Sequence, residues 1–328
     1  GDVEGMQLAG VANAVGGGVR GAQFAGVFNV NRGPVRHVQA AGVFNVNLDS
    51  IRHVAIAGVF NFARIGSQAF QVAGVSNLTL GDQLQPHFAG VFNFTKRNAK
   101  SQMSGVFNFA GKDMEGFQAA GVANFTRKEM SGAQIAGVLN YASKVRGTQV
   151  GLINIADSIG GIPVGLISIV LKGYHKLELS SDEVFYTNLA FRTGVRQFYT
   201  IITAGANPST FNNDETLWTF GYGLGTARRV SRTIQLNLDV TSNQVVEGNS
   251  IEAVNLLNKV HVGFDFQLVP KMSLAIGATV NGQVTRSSYD NYGDLFFHYQ
   301  PDIIYERSLP RDLDLKMWVG GKIGLRFL

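Results

Sequence analysis

Apolar and polar positions alternate along this chain in two rhythms, one before about residue 170 and one after it. In the first, QLAGVAN, QFAGVFN, QAAGVFN, AIAGVFN, QVAGVSN, HFAGVFN, QMSGVFN, QAAGVAN, QIAGVLN and QVGLIN follow one another. Their closing residues are Asn13, Asn29, Asn45, Asn61, Asn77 and Asn93 at a spacing of sixteen, then Asn108, Asn124, Asn140 and Asn154 with slight slippage, ending on Ser168. In the third unit, Val38, Ala40, Gly42, Phe44 and Val46 share one parity, and Gln39, Ala41, Val43, Asn45 and Asn47 share the other. That is the period of a strand and not of a helix. A strict short repeat makes half of the chain one unit copied along an axis, a form that offers surface rather than a catalytic pocket.

Two architectures fit a sixteen-residue β unit. In a parallel β-solenoid each unit is one coil, like residues stack about 4.8 Å apart, and Asn and Gln form hydrogen-bonded ladders. In an antiparallel meander each unit is a strand and a hairpin, like residues meet only near mid-strand, and nothing enforces equal loops. Constant coil length is what stacking requires, so residues 1–170 are expected to form a solenoid rod of roughly 50 Å. Gly stands three residues before each Asn, from Gly10, Gly26 and Gly42 to Gly151, where a bend or a close backbone approach is expected. Val35, Ile51, Met114 and Met130 recur in the polar turns and are expected to plug the core at its far edge. The Asn and Gln rows read as structural stacking and not as a ligand template. His37 and His53 stand one period apart, but the next equivalent is Ala69 and no carboxylate joins them, so they read as a pair of solvated histidines and not as a metal site.

After Val170 long amphipathic strands take over. Ile234, Leu236, Leu238 and Val240 alternate with Gln235, Asn237 and Asp239; Val260, Val262, Phe264 and Phe266 alternate with His261, Gly263 and Asp265. Leu313 to Phe327 repeats the pattern with Asp314, Lys316, Lys322 and Arg326 on the polar face. One face is apolar over ten or more residues at a time, as in a transmembrane barrel with lipid outside and a polar lumen. The pattern predicts about eight antiparallel strands, near 174–181, 184–194, 197–205, 216–227, 232–241, 257–268, 271–283 and 313–327. Tight connections around 194–197, 228–231 and Pro270 contrast with long polar ones around 206–215, 242–256 and 284–312, the asymmetry of outer-membrane barrels, although the outer connection at Ser181 to Glu183 is short. Tyr174, Phe185, Tyr186, Phe198, Tyr199, Trp218 and Trp318 are candidates for interfacial aromatic girdles.

The chain has no Cys, which excludes disulfides and thiolate metal sites within it. No apolar run is long enough for a helical membrane span, and no signal peptide is visible, so export requires Gly1 to follow a processed segment. The net charge of +5 is modest and lacks the aromatic-basic clustering of a nucleic-acid interface. His261, Asp265, His298, Glu306 and several serines supply the residue types of a lipid-modifying hydrolase, but no motif ties them together. Asp239, Asp265, Lys316, Lys322 and Arg326 are expected instead to pair within the lumen. The glycines of GYGLG at 221–225 alternate with Tyr222 and Leu224 and read as the small inner face of a strand, not as a phosphate loop.

The words GVFN and GLIN, above all TQVGLINIADSIGGIPVGLISIV at 148–170, resemble the G-L-x-x-G-L-x-N surface-repeat proteins of spirochaetes and Bacteroidota. The resemblance covers residues 6–170 and implies an envelope protein; those families carry no agreed catalytic residues to transfer, and the AGVFN form departs from the commoner GLIN. The chain is thus expected to be all-β, with a 1–170 solenoid followed by a 171–328 barrel of about eight strands. Its expected place is the outer membrane of a Gram-negative bacterium, with the repeats periplasmic. Outer-membrane lipid and other outer-membrane or periplasmic proteins are its expected partners, with no cofactor, metal, catalytic residue or nucleic acid. The role expected is structural or interaction-based, as an accessory subunit of a secretion or assembly complex. The competing readings are a porin-like barrel in which the repeats are themselves strands, some nineteen in all, and a barrel enzyme.

Overall fold

The computed structural model describes residues 1–207, 216–248, 254–288, 292–296 and 300–327. The chain divides into two compact units, Gly1–Lys172 and Gly173–Leu328.

The first unit is a stack of coils, most of them one longer strand and one four-residue strand. Longer strands such as Val19–Ala25 and Val35–Ala41 pair only in parallel, with Val19 opposite Val35 and Gln23 opposite Gln39. Short strands such as Phe28–Asn31 and Phe44–Asn47 do the same, with Asn29 opposite Asn45. This is the parallel solenoid, and it removes the meander. Eleven rungs, from Ala12–Val15 to Ile167–Val170, define ten turns, a length of about 48 Å at a strand spacing of about 4.8 Å. Where the period slips, the ladder keeps its register: Asn93 pairs with Asn108 and Asn140 with Asn154. One shortened coil absorbs its missing residue at a register shift between Lys100 and Gln102, on the charged side.

Period-two alternation places the polar set inside. Gln39, Asn45 and Asn47 are buried, while Ala40, Phe44 and Val46 face out. The predicted plugs also lie inside: Val35, Ile51, Met114 and Met130 are fully buried. They belong to two separate apolar clusters, one around Val19, Val35, Ile51 and Ala63 and the other around Ala99, Met114, Met130 and Val145. Between them the interior is polar, with Ser67, Gln71, Gln83, His87, Thr95 and Gln102 buried and bonded to one another. The glycine before each Asn marks a close approach: a Cβ on Gly58 would stand 2.0 Å from the carbonyl oxygen of Gly42 in the coil below.

The second unit is a closed barrel of eight antiparallel strands: Tyr174–Asp182, Thr187–Val195, Phe198–Ala206, Leu217–Arg229, Ile234–Glu247, Asn255–Val269, Met272–Arg286 and Leu313–Phe327. Each pairs with the next, and the first closes on the last through Leu177 to Asp182 opposite Phe327 to Lys322. The repeats contribute no barrel strand, which excludes the nineteen-strand porin. Leu179, Leu189, Val262, Phe264 and Ile323 are exposed on the outside, whereas Glu178, Arg192, Asp239, His261 and Arg326 are buried inside. The span 284–312, expected to be loop, contains a further strand, Tyr305–Leu309, which forms a hairpin with the start of the last barrel strand.

Candidate functional site in the barrel interior and the amide ladders

Two layers of side chains fill the barrel, and a cavity opens at its far mouth. At the end bearing the long connections, Phe185, Leu217, Val245, Leu257, Leu295 and Trp318 form an apolar plug. Trp318 meets Tyr292 edge-on at 5.2 Å, and its indole N–H donates to Glu183 at 3.1 Å. The short turn after the first strand belongs to this plug. Asp182 accepts the backbone N–H groups of Val184 and Phe185 at 3.0 and 2.9 Å and pairs with Lys259 at 2.6 Å, so the turn folds Phe185 into the lumen. Tyr174, Phe185, Tyr199 and Trp318 therefore are not interfacial girdle residues. They share parity with the inward polar positions, and burying them fills a lumen that water would otherwise occupy.

The second layer is ionic. Arg326 donates to Glu178 at 2.5 Å and to both oxygens of Asp265 at 2.7 and 2.8 Å. Arg192 reaches Asp239 at 2.9 Å and Glu178 at 3.0 Å, and Lys322 reaches Glu178 at 3.1 Å. The Tyr199 hydroxyl donates to Asp239 at 2.6 Å. Three carboxylates thus meet three cations, the balance a low-dielectric interior demands of buried charge. Tyr199 fits because its partner on the neighbouring strand is glycine: a Cβ on Gly225 would meet its ring at 2.3 Å. The small inner face of the GYGLG strand is therefore space for this tyrosine. A cavity of about 50 Å³ lies between plug and ion cluster, and a wider one of about 590 Å³ opens at the opposite mouth, lined by His175, Lys176, Arg196 and Arg229.

Sequence reasoning found Asp239, Asp265, Lys322 and Arg326 but missed Glu178 and Arg192, although both sit in period two with Leu177, Leu179, Leu189 and Phe191. Lys316 lies outside the cluster, 3.8 Å from Glu306 on the added hairpin. The residue types of a hydrolase are dispersed. His261 stands 3.8 Å from Asp239, with no hydrogen bond at either ring nitrogen. Asp265 is committed to Arg326, Glu306 is on the hairpin, and His298 lies outside the described residues. Among the described residues no group of three or more His, Asp or Glu is placed to hold a metal ion.

In the solenoid each Asn amide donates twice. Asn45 Nδ2 bonds Asn61 Oδ1 at 2.8 Å and the carbonyl of Ile56 at 2.8 Å, and the pattern repeats from Asn13 to Asn140, whereas Asn154 donates to the carbonyls of Val164 and Gly151. Facing inward, these amides bond to one another and to the backbone. A second ladder joins Gln23, Gln39, Asn31 and Asn47. It stops at Ala55 and Ala63 on the next coil, and farther along the Gln row His87 takes the place of Gln, with its Nε2 3.2 Å from Ser67 Oγ. Burial holds the His87 imidazole down at about 3. His37 and His53 stack at 5.1 Å on the exposed side, in the left-handed region at φ 90° and 78°.

No family model matches this chain, and no curated protein does. A solved structure described as "De novo design of transmembrane beta-barrels" aligns with 47% of this chain and 91% of its own at 10% identity, with a TM-score of 0.27. At that score the likeness carries no argument.

Proposed function

We propose that the barrel spans the outer membrane of a Gram-negative bacterium, and that the chain serves there as a non-enzymatic structural and interaction component, an accessory subunit of an envelope complex. The observation that carries this reading is the sidedness of the barrel. Its outer face is leucine, valine, isoleucine and phenylalanine, and its inner face is a balanced ion cluster, so hydrocarbon and not water is the solvent that suits it. Closure leaves no unpaired strand edge around the wall, as a bilayer requires. Strand number supports the orientation: an even count returns both ends of the barrel to the side of the short turns, the periplasmic side, and residues 1–170 are assigned to the periplasm with them.

A filled lumen argues for support rather than passage. The plug around Trp318 and the Arg192, Arg326 and Lys322 pairs block the axis, and the repeats present an extended surface for other macromolecules. Purified full-length protein in planar bilayers is therefore expected to show no stepwise conductance; steady open-channel currents would overturn the structural reading in favour of transport. Mild-detergent capture of the tagged chain from its native membrane is expected to recover another envelope protein in stoichiometric amount, and recovery of the chain alone would remove the accessory-subunit role.

A further inference from the structure

The solenoid is inside out. A soluble β-solenoid hides apolar rows and shows polar ones; here Asn and Gln ladders share the interior with the Val, Ile and Met plugs, while four further apolar rows lie outside. Four positions of every coil form these rows, exemplified by Ala40, Val43, Phe44 and Val46 in the third. Across eleven rungs they contain no charged side chain, and Ser76 and Tyr141 are their only hydroxyls. The corner row remains exposed along the stack, with Val59 at 38%, Val91 at 36%, Val122 at 45% and Leu152 at 53%. Phenylalanines on the adjoining face stack ring on ring, Phe28 on Phe44 at 5.0 Å and Phe44 on Phe60 at 5.1 Å. A continuous apolar band about 48 Å long is an extended exposed apolar surface of the kind that marks an interaction or membrane site, unlike singly scattered apolar residues.

Charge is segregated to the other side of the coil, at the turn and the start of the longer strand. Arg20, Arg36 and Arg52 stand in register on three successive coils, and Arg64, Lys100 and Lys128 continue the basic side. Residues 1–172 hold fourteen Lys and Arg against eight Asp and Glu. An apolar band backed by an excess of positive charge is the pattern of an element that lies in a membrane surface, with its band among acyl chains and its cations near anionic headgroups. The barrel in the same chain repeats the sidedness, apolar outside and polar within. Along the stack each coil's backbone pairs with its neighbours, which meets the condition hydrocarbon sets for a polypeptide surface.

We propose that the apolar band of the solenoid is inserted in a phospholipid leaflet, so that the repeats lie in the membrane surface as a monotopic element. The inference rests on the membrane reading of the barrel, and the test separates the two. Because the chain lacks Cys, single cysteines replace Val59, Val91 or Val122 on the band, Arg64 or Lys128 on the charged side, and Leu238 on the outer wall of the barrel. All six positions are exposed, so the fold tolerates the label. Each variant of the full chain carries an environment-sensitive fluorophore in vesicles of phosphatidylcholine and phosphatidylglycerol, and is titrated with doxyl-labelled lipid and with iodide. The band labels and Leu238 are expected to lose most of their emission to doxyl lipid and little to iodide, with the reverse at Arg64 and Lys128. Iodide quenching of the band labels with lipid quenching of Leu238 overturns this proposal alone and leaves a protein partner as the occupant. Protection of the band from both quenchers overturns it in favour of self-association. Failure of lipid to quench Leu238 brings down the membrane reading itself.

Discussion

At the scale of single residues, the glycine three places before each Asn is fixed by what lies one coil below. Gly58→Ala places a methyl 2.0 Å from the Gly42 carbonyl oxygen, whereas at Gly10, on the first coil, the same methyl meets nothing within 4 Å. The first substitution is expected to cost about 2–3 kcal/mol and the second close to none, as read from urea midpoints of the full chain. His87 offers a pH test. Burial holds its imidazole down at about 3 when folded, against 6.5 for a histidine in water, so between those values the unfolded chain binds the extra proton and stability falls as pH is lowered. The slope approaches about 1.4 kcal/mol per pH unit. Stability is fully present above 6.5 and its His87 share is lost by about 3. His87→Gln restores the residue type of the row, formed by Gln71 before it and Gln102 after it, and is expected to flatten urea midpoints measured across that window; an unchanged slope would show that His87 is not the source.

At the scale of elements, the ladder is cooperative because each amide is both donor and acceptor. Asn61 accepts from Asn45 at 2.8 Å and donates to Asn77 and to the Val72 carbonyl, both at 2.9 Å. Asn61→Ala orphans buried groups on both neighbouring coils and is expected to cost about 1–3 kcal/mol for each group left unpaired, seen as faster amide exchange in the coils on either side. These elements were largely legible in the sequence. Period two and a constant coil length are geometric demands of stacked strands, so the repeat announces both the strand and its register. The barrel strands showed themselves in the same way, and Leu313–Phe327 matches its expected bounds. What escaped has a physical reason. Trp318 and Tyr199 obey the inward parity, but aromatic size near a strand end also fits a lipid interface, and only the neighbouring glycine and the plug decide between the two. Glu178 and Arg192 gain their meaning from Arg326 and Asp239, 148 and 47 residues away across the lumen, distances that no local pattern encodes. Tyr305–Leu309 lay hidden because its five residues alternate weakly and pair only with the end of one strand.

At the scale of the molecule, two polar interiors of different chemistry hold one chain together, amide in the solenoid and ionic in the barrel. Arg326 links three carboxylates, and Arg326→Met would leave them facing two cations. A loss of about 3–5 kcal/mol is expected, visible as lost resistance of the folded barrel to SDS; retained resistance would show that the cluster is dispensable. The solenoid has its own internal division, because its apolar plugs form two clusters with the polar stretch from Ser67 to Gln102 between them. Such a stack behaves as a one-dimensional chain of coupled segments, and coupling is weakest where the least apolar surface is shared. Loss of structure begun at either end should therefore stall at that stretch, making it the boundary between two cooperative blocks. The coils before Ser67 and those after Gln102 would then open with separate free energies, giving an outwardly uniform repeat array two independent lifetimes.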